Sequence, residues 1–174
     1  MARSMISLLV VAFPIACGGD TTRATETITA MGITLDFPAE LHLDQALLDQ
    51  GGPISIDNFG GAYAQGGLAP QGGFVVNIAA TQLPPDSITE VINRDLQGVA
   101  IEFVRDAAVG GEAGKEVAYT YALGPANASR DLVVYVPHGT LLYKFFLSYR
   151  VNDPGEATFV ATFESILSSV RFEL

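Results

Sequence analysis

The chain contains no tryptophan, a single cysteine and only two histidines, and nine of its 174 residues are Lys or Arg. One cysteine excludes an intramolecular disulfide framework and a Cys-based zinc site. Two histidines, His42 and His138, leave little from which to build a His-rich metal centre. Nine cations against nineteen Asp and Glu, a formal charge of −10, exclude a free-standing nucleic-acid binder, which needs clustered cations to neutralise phosphates. No apolar run reaches the roughly twenty residues that cross a bilayer as a helix. Hydrophobic residues make up 49% of the chain and charged residues 16%, which excludes a disordered tail and supplies a sizeable core for one domain.

The N-terminus is laid out as an address. Arg3 precedes the apolar run Met5–Ala16, which ends in small residues, the pattern of a secretory signal peptide. Cys17 follows directly and is flanked by Gly18. Ile15-Ala16-Cys17 resembles the lipobox of bacterial lipoproteins, in which the chain is cut before a cysteine that carries the lipid; Pro14 stands where the family usually has an aliphatic residue. The resemblance implies cleavage between Ala16 and Cys17 and acylation of Cys17 with diacylglyceryl and palmitate groups. Two readings compete: Ala16-Cys17-Gly18 is itself an A-x-A-like site, which gives ordinary cleavage after Gly18, or Cys17 is an incidental buried thiol. The expected organisation is a signal peptide at 1–16, a lipidated N-terminus and tether at 17–26, and one domain at 27–174. The expected location is the cell envelope, on the extracytoplasmic side of a bacterial membrane, held by acyl chains rather than a protein span. Removal of residues 1–16 leaves eight cations against nineteen anions, a body repelled by anionic lipid, so the anchor must hold it there.

Alternation predicts strands in the body. Thr27–Met31 and the run Ile33, Leu35, Phe37 form a hairpin about Gly32, ended by Pro38. The four glycine doublets between residues 51 and 73 lack the Lys-Ser/Thr or G-x-G-x-x-G context of a phosphate loop, and predict a flexible surface loop. Strands are expected at Phe74–Ala80, Ile101–Ala107, Lys115–Ala122, Leu132–Pro137, Leu141–Val151 and Val170–Phe172. Leu132–Val136 is apolar throughout, as suits a central strand covered on both sides. Ser87-Ile-Thr-Glu90 is a capping box opening a helix whose apolar face is Ile88, Val91, Ile92 and Leu96, closed by Gly98. Asp153-Pro154-Gly155-Glu156 predicts a second capped helix, with Phe159, Val160, Phe163, Ile166 and Leu167 as its apolar face. Tight turns at Gly110-Gly111 and His138-Gly139 make the sheet antiparallel. The expected class is α+β, an antiparallel sheet flanked by helices as an α/β/α sandwich.

Three segments in order, Gly32-Ile-Thr-Leu-Asp-Phe-Pro38, Gly114-Lys-Glu-Val-Ala-Tyr-Thr-Tyr121 and Leu142-Tyr-Lys-Phe-Phe-Leu147 followed by Phe163–Phe172, resemble the PsbP-like superfamily. Its members include photosystem II extrinsic proteins and DcrB-type lipoproteins, and the nuclear import factor Mog shares its fold. The likeness covers residues 27–174 and consists of packing motifs. Leu41 stands where the family often has Trp. The resemblance implies mostly non-enzymatic accessory proteins that bind partners, sometimes with divalent cations.

The sequence holds no strong catalytic signature. No G-x-S-x-G elbow accompanies the histidines, and His138 reads as a hairpin residue, His42 as a loop or half-buried one. Asp44 and Asp49 flank a leucine-rich turn, and Asp153 and Glu156 read as caps. Glu102 and Asp106 share a strand face and could meet a cation, but read more simply as a solvated edge. A calcium loop of the D-x-[DN]-x-[DN]-G type is absent, and a surface Ca²⁺ or Mn²⁺ site assembled from distant segments leaves no signature, so no cofactor is assigned. The expected function is a non-catalytic binding or accessory module for an envelope or membrane complex, with a protein partner and no catalytic residue. The alternatives are a carrier of a small apolar ligand lined by Tyr119, Tyr121, Tyr143, Phe145 and Phe159, or an envelope hydrolase with a site assembled from scattered residues.

Overall fold

The computed structural model describes residues 24–61, 68–122 and 127–173. The chain enters at β1 (Thr25–Ala30), two residues before the expected domain boundary, and reverses into β2 (Ile33–Pro38). Met31 and Gly32 between them have φ of 57° and 77°, the backbone of a two-residue turn that matches the twist of paired strands. Two short elements follow, β3 (His42–Leu43) and helix α1 (Gln45–Asp49), whose N-cap Asp44 accepts a bond from the Leu47 amide at 2.9 Å.

The glycine-rich stretch is not simply a loop. Ile54–Asp57 forms β4, with all four residues buried, paired antiparallel with β5 (Phe74–Gln82). Ile54 and Ile56 alternate with Ser55, but the glycines on either side hide a signal only four residues long. The doublet Gly66-Gly67 lies outside the described residues.

Helix α2 (Ile88–Asp95) opens on the expected capping box, with Ser87 and Glu90 satisfying each other's backbone amides. Four long strands then form a meander, β6 (Ile101–Val109), β7 (Glu112–Ala122), β8 (Ala128–His138) and β9 (Leu141–Arg150). Its turns are Gly110-Gly111 and, one residue later than expected, Gly139-Thr140. Helix α3 (Glu156–Ser169) and the short β10 (Arg171–Phe172) close the chain.

The cap expected of Asp153 is not made. The N-cap of α3 is Gly155 and has no side-chain bond. Asp153 instead turns inward, accepting from the Gly72 amide at 2.6 Å and the Gly155 amide at 2.8 Å, so it fastens the 70–73 turn to the start of α3.

The strands form two sheets rather than one. The larger has the order β3-β4-β5-β9-β8-β7-β6, and the smaller β1-β2-β10, all antiparallel. The smaller sheet and α3 cover one face of the larger, with Ile33, Leu35, Phe37, Phe159, Phe163 and Ile166 packed on Val134, Tyr143, Phe145 and Leu147. Helix α2 covers part of the other face, its Val91, Ile92 and Leu96 resting on Val117, Val133, Tyr135 and Leu142. β8 serves both cores, Leu132, Val134 and Val136 facing α3 and Val133 and Tyr135 facing α2. The helices therefore flank the sheet as expected.

Candidate functional site

Ala16 and Cys17 lie outside the described residues. No helix among the described residues is long and apolar enough to cross a membrane.

Each histidine meets a carboxylate. His42 Nδ1 lies 3.2 Å from Asp57 Oδ2, while Asp57 Oδ1 accepts from the amides of Phe59 and Gly61. This buried carboxylate thus ties the edge strand β3 to β4 and holds the start of the following loop. His138 Nδ1 lies 2.9 Å from Glu112 Oε1, and its ring stacks on Phe172 at 4.4 Å, fixing β10 against the β8–β9 turn. Neither histidine lines either of the two cavities described below.

Glu102 and Asp106 do not share a face. A bulge between Ile101 and Phe103 inserts one residue into β6, so the period of two is broken between them. Glu102 reaches Arg130 and Thr120, whose strand partners include Tyr149 in the α3-side core. Asp106 pairs at 2.5 Å with Lys115, opposite Tyr135 on the α2 side. Among the described residues no three His, Cys, Asp or Glu come together as a metal cluster.

The five aromatics that would line an apolar carrier site are also divided. Tyr143, Phe145 and Phe159 are buried in the α3-side core; Tyr143 and Phe145 have ring centroids 6.3 Å apart, and Tyr149 and Phe159 are 5.7 Å apart. Tyr119 belongs to the α2-side core, and Tyr121 is 48% exposed.

The α2 side has a different character. Helix α2 is eight residues long and covers only part of a seven-stranded sheet. Strand register lays out the rest in cross-strand rows, one running Asn77, Phe146, Val133, Val117, Val104 and the next Ala79, Lys144, Tyr135, Lys115, Asp106. Where these rows meet the end of α2, a cavity of about 410 Å³ opens, with Ala79, Val133 and Phe146 as floor and Asn77, Lys144 and Asp95 as polar lining. Lys144 Nζ lies 2.5 Å from Asp95 Oδ2 and 5.5 Å from the centre of the Tyr135 ring. Burial raises the hydroxyls of Tyr119 and Tyr135 well above the usual phenol range, with Asp131 the next contributor at Tyr119 and Asp95 at Tyr135, so both stay protonated donors. At the edge strand β6 the first of these rows ends in Val104, 49% exposed, and the second in Asp106; Ile101 (37%) is a further exposed apolar group of the same strand, and Tyr121 is exposed on β7.

The row Val75, Ser148, Asp131, Tyr119, Ile101 carries a buried carboxylate beside the pocket. Asp131 is 4% exposed and accepts from Ser148 Oγ at 2.6 Å. Desolvation raises its pKa and outweighs the Ser148 and Ser129 hydrogen bonds that lower it. A carboxyl whose folded pKa is raised favours folding below the unfolded value, about 3.9, and this contribution is lost as pH rises through the folded pKa. Asp131→Asn, neutral throughout, is therefore expected to gain melting temperature relative to the parent between pH 4 and pH 8. Calorimetry at both pH values checks this; a pH-independent difference contradicts it.

A larger groove of about 640 Å³ runs between β2 and α3. Two of its hydroxyls are used locally, Ser168 donating to the Ser165 carbonyl and Ser169 bridging Asp36 and the Ile166 carbonyl. Its carboxylate, Asp36, is held by Thr27 and lies 3.5 Å from Arg171. Of the α2-side pocket only Tyr119 was among the aromatics proposed to line a carrier site; the other lining residues were not read as a site because they come from β5, β8, β9 and α2. The one local signal was Lys144, a cation inside the most apolar strand of the chain.

No protein-family model matches the chain, and no curated protein matches it in sequence. Among solved structures, it is similar to cyanobacterial PsbP (CyanoP) from Synechocystis sp. PCC 6803, with a TM-score of 0.50 and 14% identity over 90% of this chain and 97% of that one. A crystal structure from Bacteroides thetaiotaomicron matches with a TM-score of 0.52 and 8% identity over 82% of this chain, which spans 46% of that one. LpqN, involved in cell envelope biogenesis of Mycobacterium tuberculosis, matches with 14% identity over 90% of this chain and 87% of that one, at a TM-score of 0.48 that bears no weight. At these identities the likeness is one of fold, and the fold is PsbP-like.

Proposed function

We propose that this PsbP-like domain is a non-catalytic binding and accessory module, held on the extracytoplasmic side of a bacterial membrane by acyl chains on Cys17. Its α2 side receives a protein partner in the envelope. The observation that carries this reading is the disposition of the two faces of the large sheet. β1, from which the tether leads back to Cys17, belongs to the small sheet on the α3 side. The pocket and the exposed apolar edge Ile101, Val104 and Tyr121 lie on the opposite side. An anchor on the α3 side leaves that surface turned away from the bilayer and open to a partner. The acidic body adds no attraction to anionic lipid, so attachment falls to the acyl chains.

Intact mass and detergent partitioning of the full chain, beside Cys17→Ala, test the anchor. The expected product begins at Cys17, carries diacylglyceryl mass and enters the detergent phase, and the variant stays aqueous. An unlipidated product beginning at Gly19 overturns the anchoring. For the docking side, a photo-crosslinking residue at Val104 is expected to join one membrane protein that the same residue at Ser168, in the α3-side groove, does not reach. Equal capture at both positions, or none at Val104, overturns it.

A further inference from the structure

The α2-side pocket holds a carboxylate and an ammonium in contact above an apolar floor. Asp95 and Lys144 are 25% and 31% exposed in their side chains, so neither is sealed from a ligand. The ammonium has three donors and gives one to Asp95; the carboxylate has four acceptor positions and shares them between Lys144 and the Tyr135 hydroxyl. Both groups therefore keep bonding capacity facing the cavity. The Asn77 amide lines the same cavity and offers both a donor and an acceptor.

We propose that this pocket binds a free α-amino acid with an apolar side chain. A closed ion pair discriminates by charge pattern. A lone anion is drawn by Lys144 and repelled by Asp95, and a lone cation the reverse, so the pair gives little to either. A zwitterion uses both at once. Its ammonium goes to Asp95 and its carboxylate to Lys144 and the Asn77 amide, so that the four charges alternate in sign. The side chain then lies on Val133, Phe146 and Ala79, where removing apolar surface from water supplies the remaining affinity. A cavity of about 410 Å³ has room for a leucine or phenylalanine. The inference deepens the proposed binding role and rests on the reading that the α2 side is the working surface.

Titration calorimetry on the full chain in detergent, with L-phenylalanine and L-leucine as probes, tests it. Saturable binding is expected, weakened about tenfold or more when the ligand's ammonium is blocked in N-acetyl-L-phenylalanine or its carboxylate in L-phenylalaninamide. Asp95→Asn and Lys144→Gln are each expected to weaken L-phenylalanine to a similar degree, and Ser168→Ala to leave it unchanged. Since Asp95 ends a helix, Asn77→Ala provides a second probe at a partly exposed strand position, with a severalfold loss expected and the melting curve as the check on folding. No heat up to ~10 mM ligand overturns the proposal. So does equal affinity for the blocked analogues or for toluene, which marks an apolar cavity only. Crosslinking at Val104 without amino-acid binding leaves the docking reading standing and removes this one.

Discussion

Phe145→Ala is expected to lower the unfolding free energy by about 3–5 kcal/mol, the range for deleting a fully buried ring. Phe145 is wholly inaccessible to solvent, lies between Ile78 and Val134 in the cross-strand register, and packs in the core beneath α3. Its neighbour Phe146 points to the other side and is partly buried against the α2-side cluster. Phe146→Ala removes a ring from a surface that already borders an open pocket, and is expected to cost about 1–2 kcal/mol. Chemical denaturation of the two variants, with unchanged m-values, gives the comparison directly. The order matters more than either value. A one-residue slip of β9 exchanges its faces, so a larger loss at Phe146 would sink the assigned register.

Gly114→Ala is expected to cost about 3 kcal/mol or more, at the upper end of overpacking penalties. A Cβ at this position would lie 2.4 Å from the Tyr135 carbonyl oxygen and 3.1 Å from Val136 Cγ2. The obstruction is backbone of β8, which is held on its far side by β9 and cannot move aside without disturbing two ladders. Gly111→Ala provides the contrast. Gly111 has φ of 86° and open space about its Cα, so a methyl group meets no atom and only the left-handed backbone is strained. That strain is worth about 1–2 kcal/mol. Equilibrium unfolding that ranks Gly111→Ala as the worse of the two would mean β7 and β8 are not as close at Gly114 as described.

Phe145→Ala acts on the part of the fold that was most legible, whereas Gly114 lies just outside the strand expected at Lys115–Ala122. The β9 alternation of Leu141, Tyr143, Phe145, Leu147 and Tyr149 needs only a period of two and a buried face; the sequence placed these residues on one face, and the fold turns that face to the α3 side. The all-apolar run of β8 announced a strand covered twice, and the Ser87–Glu90 capping box marked the start of α2 to the residue. These signals are local, since each depends on neighbours within a few positions along the chain.

The rest depended on distant groups. Ile54–Asp57 is a buried strand because β5 and β3 flank it, which no pattern four residues long between glycine doublets can declare. The bulge after Ile101 separates Glu102 from Asp106, and the extra residue is set by pairing with β7 rather than by composition. Asp153 looked like a helix cap, yet a free amide at Gly72, 81 positions away, takes its carboxylate.

By itself the sequence determined an acidic, cysteine-poor α+β domain with a central two-sided strand, because composition and short-range periodicity are properties of the chain alone. Tertiary structure alone decided that the strands divide into two sheets and that the predicted aromatics fall on different faces. It also decided that Asn77, Asp95, Tyr135 and Lys144 meet over one pocket. Those outcomes follow from register and from how much of a sheet an eight-residue helix can cover, which are relations between segments far apart in the chain.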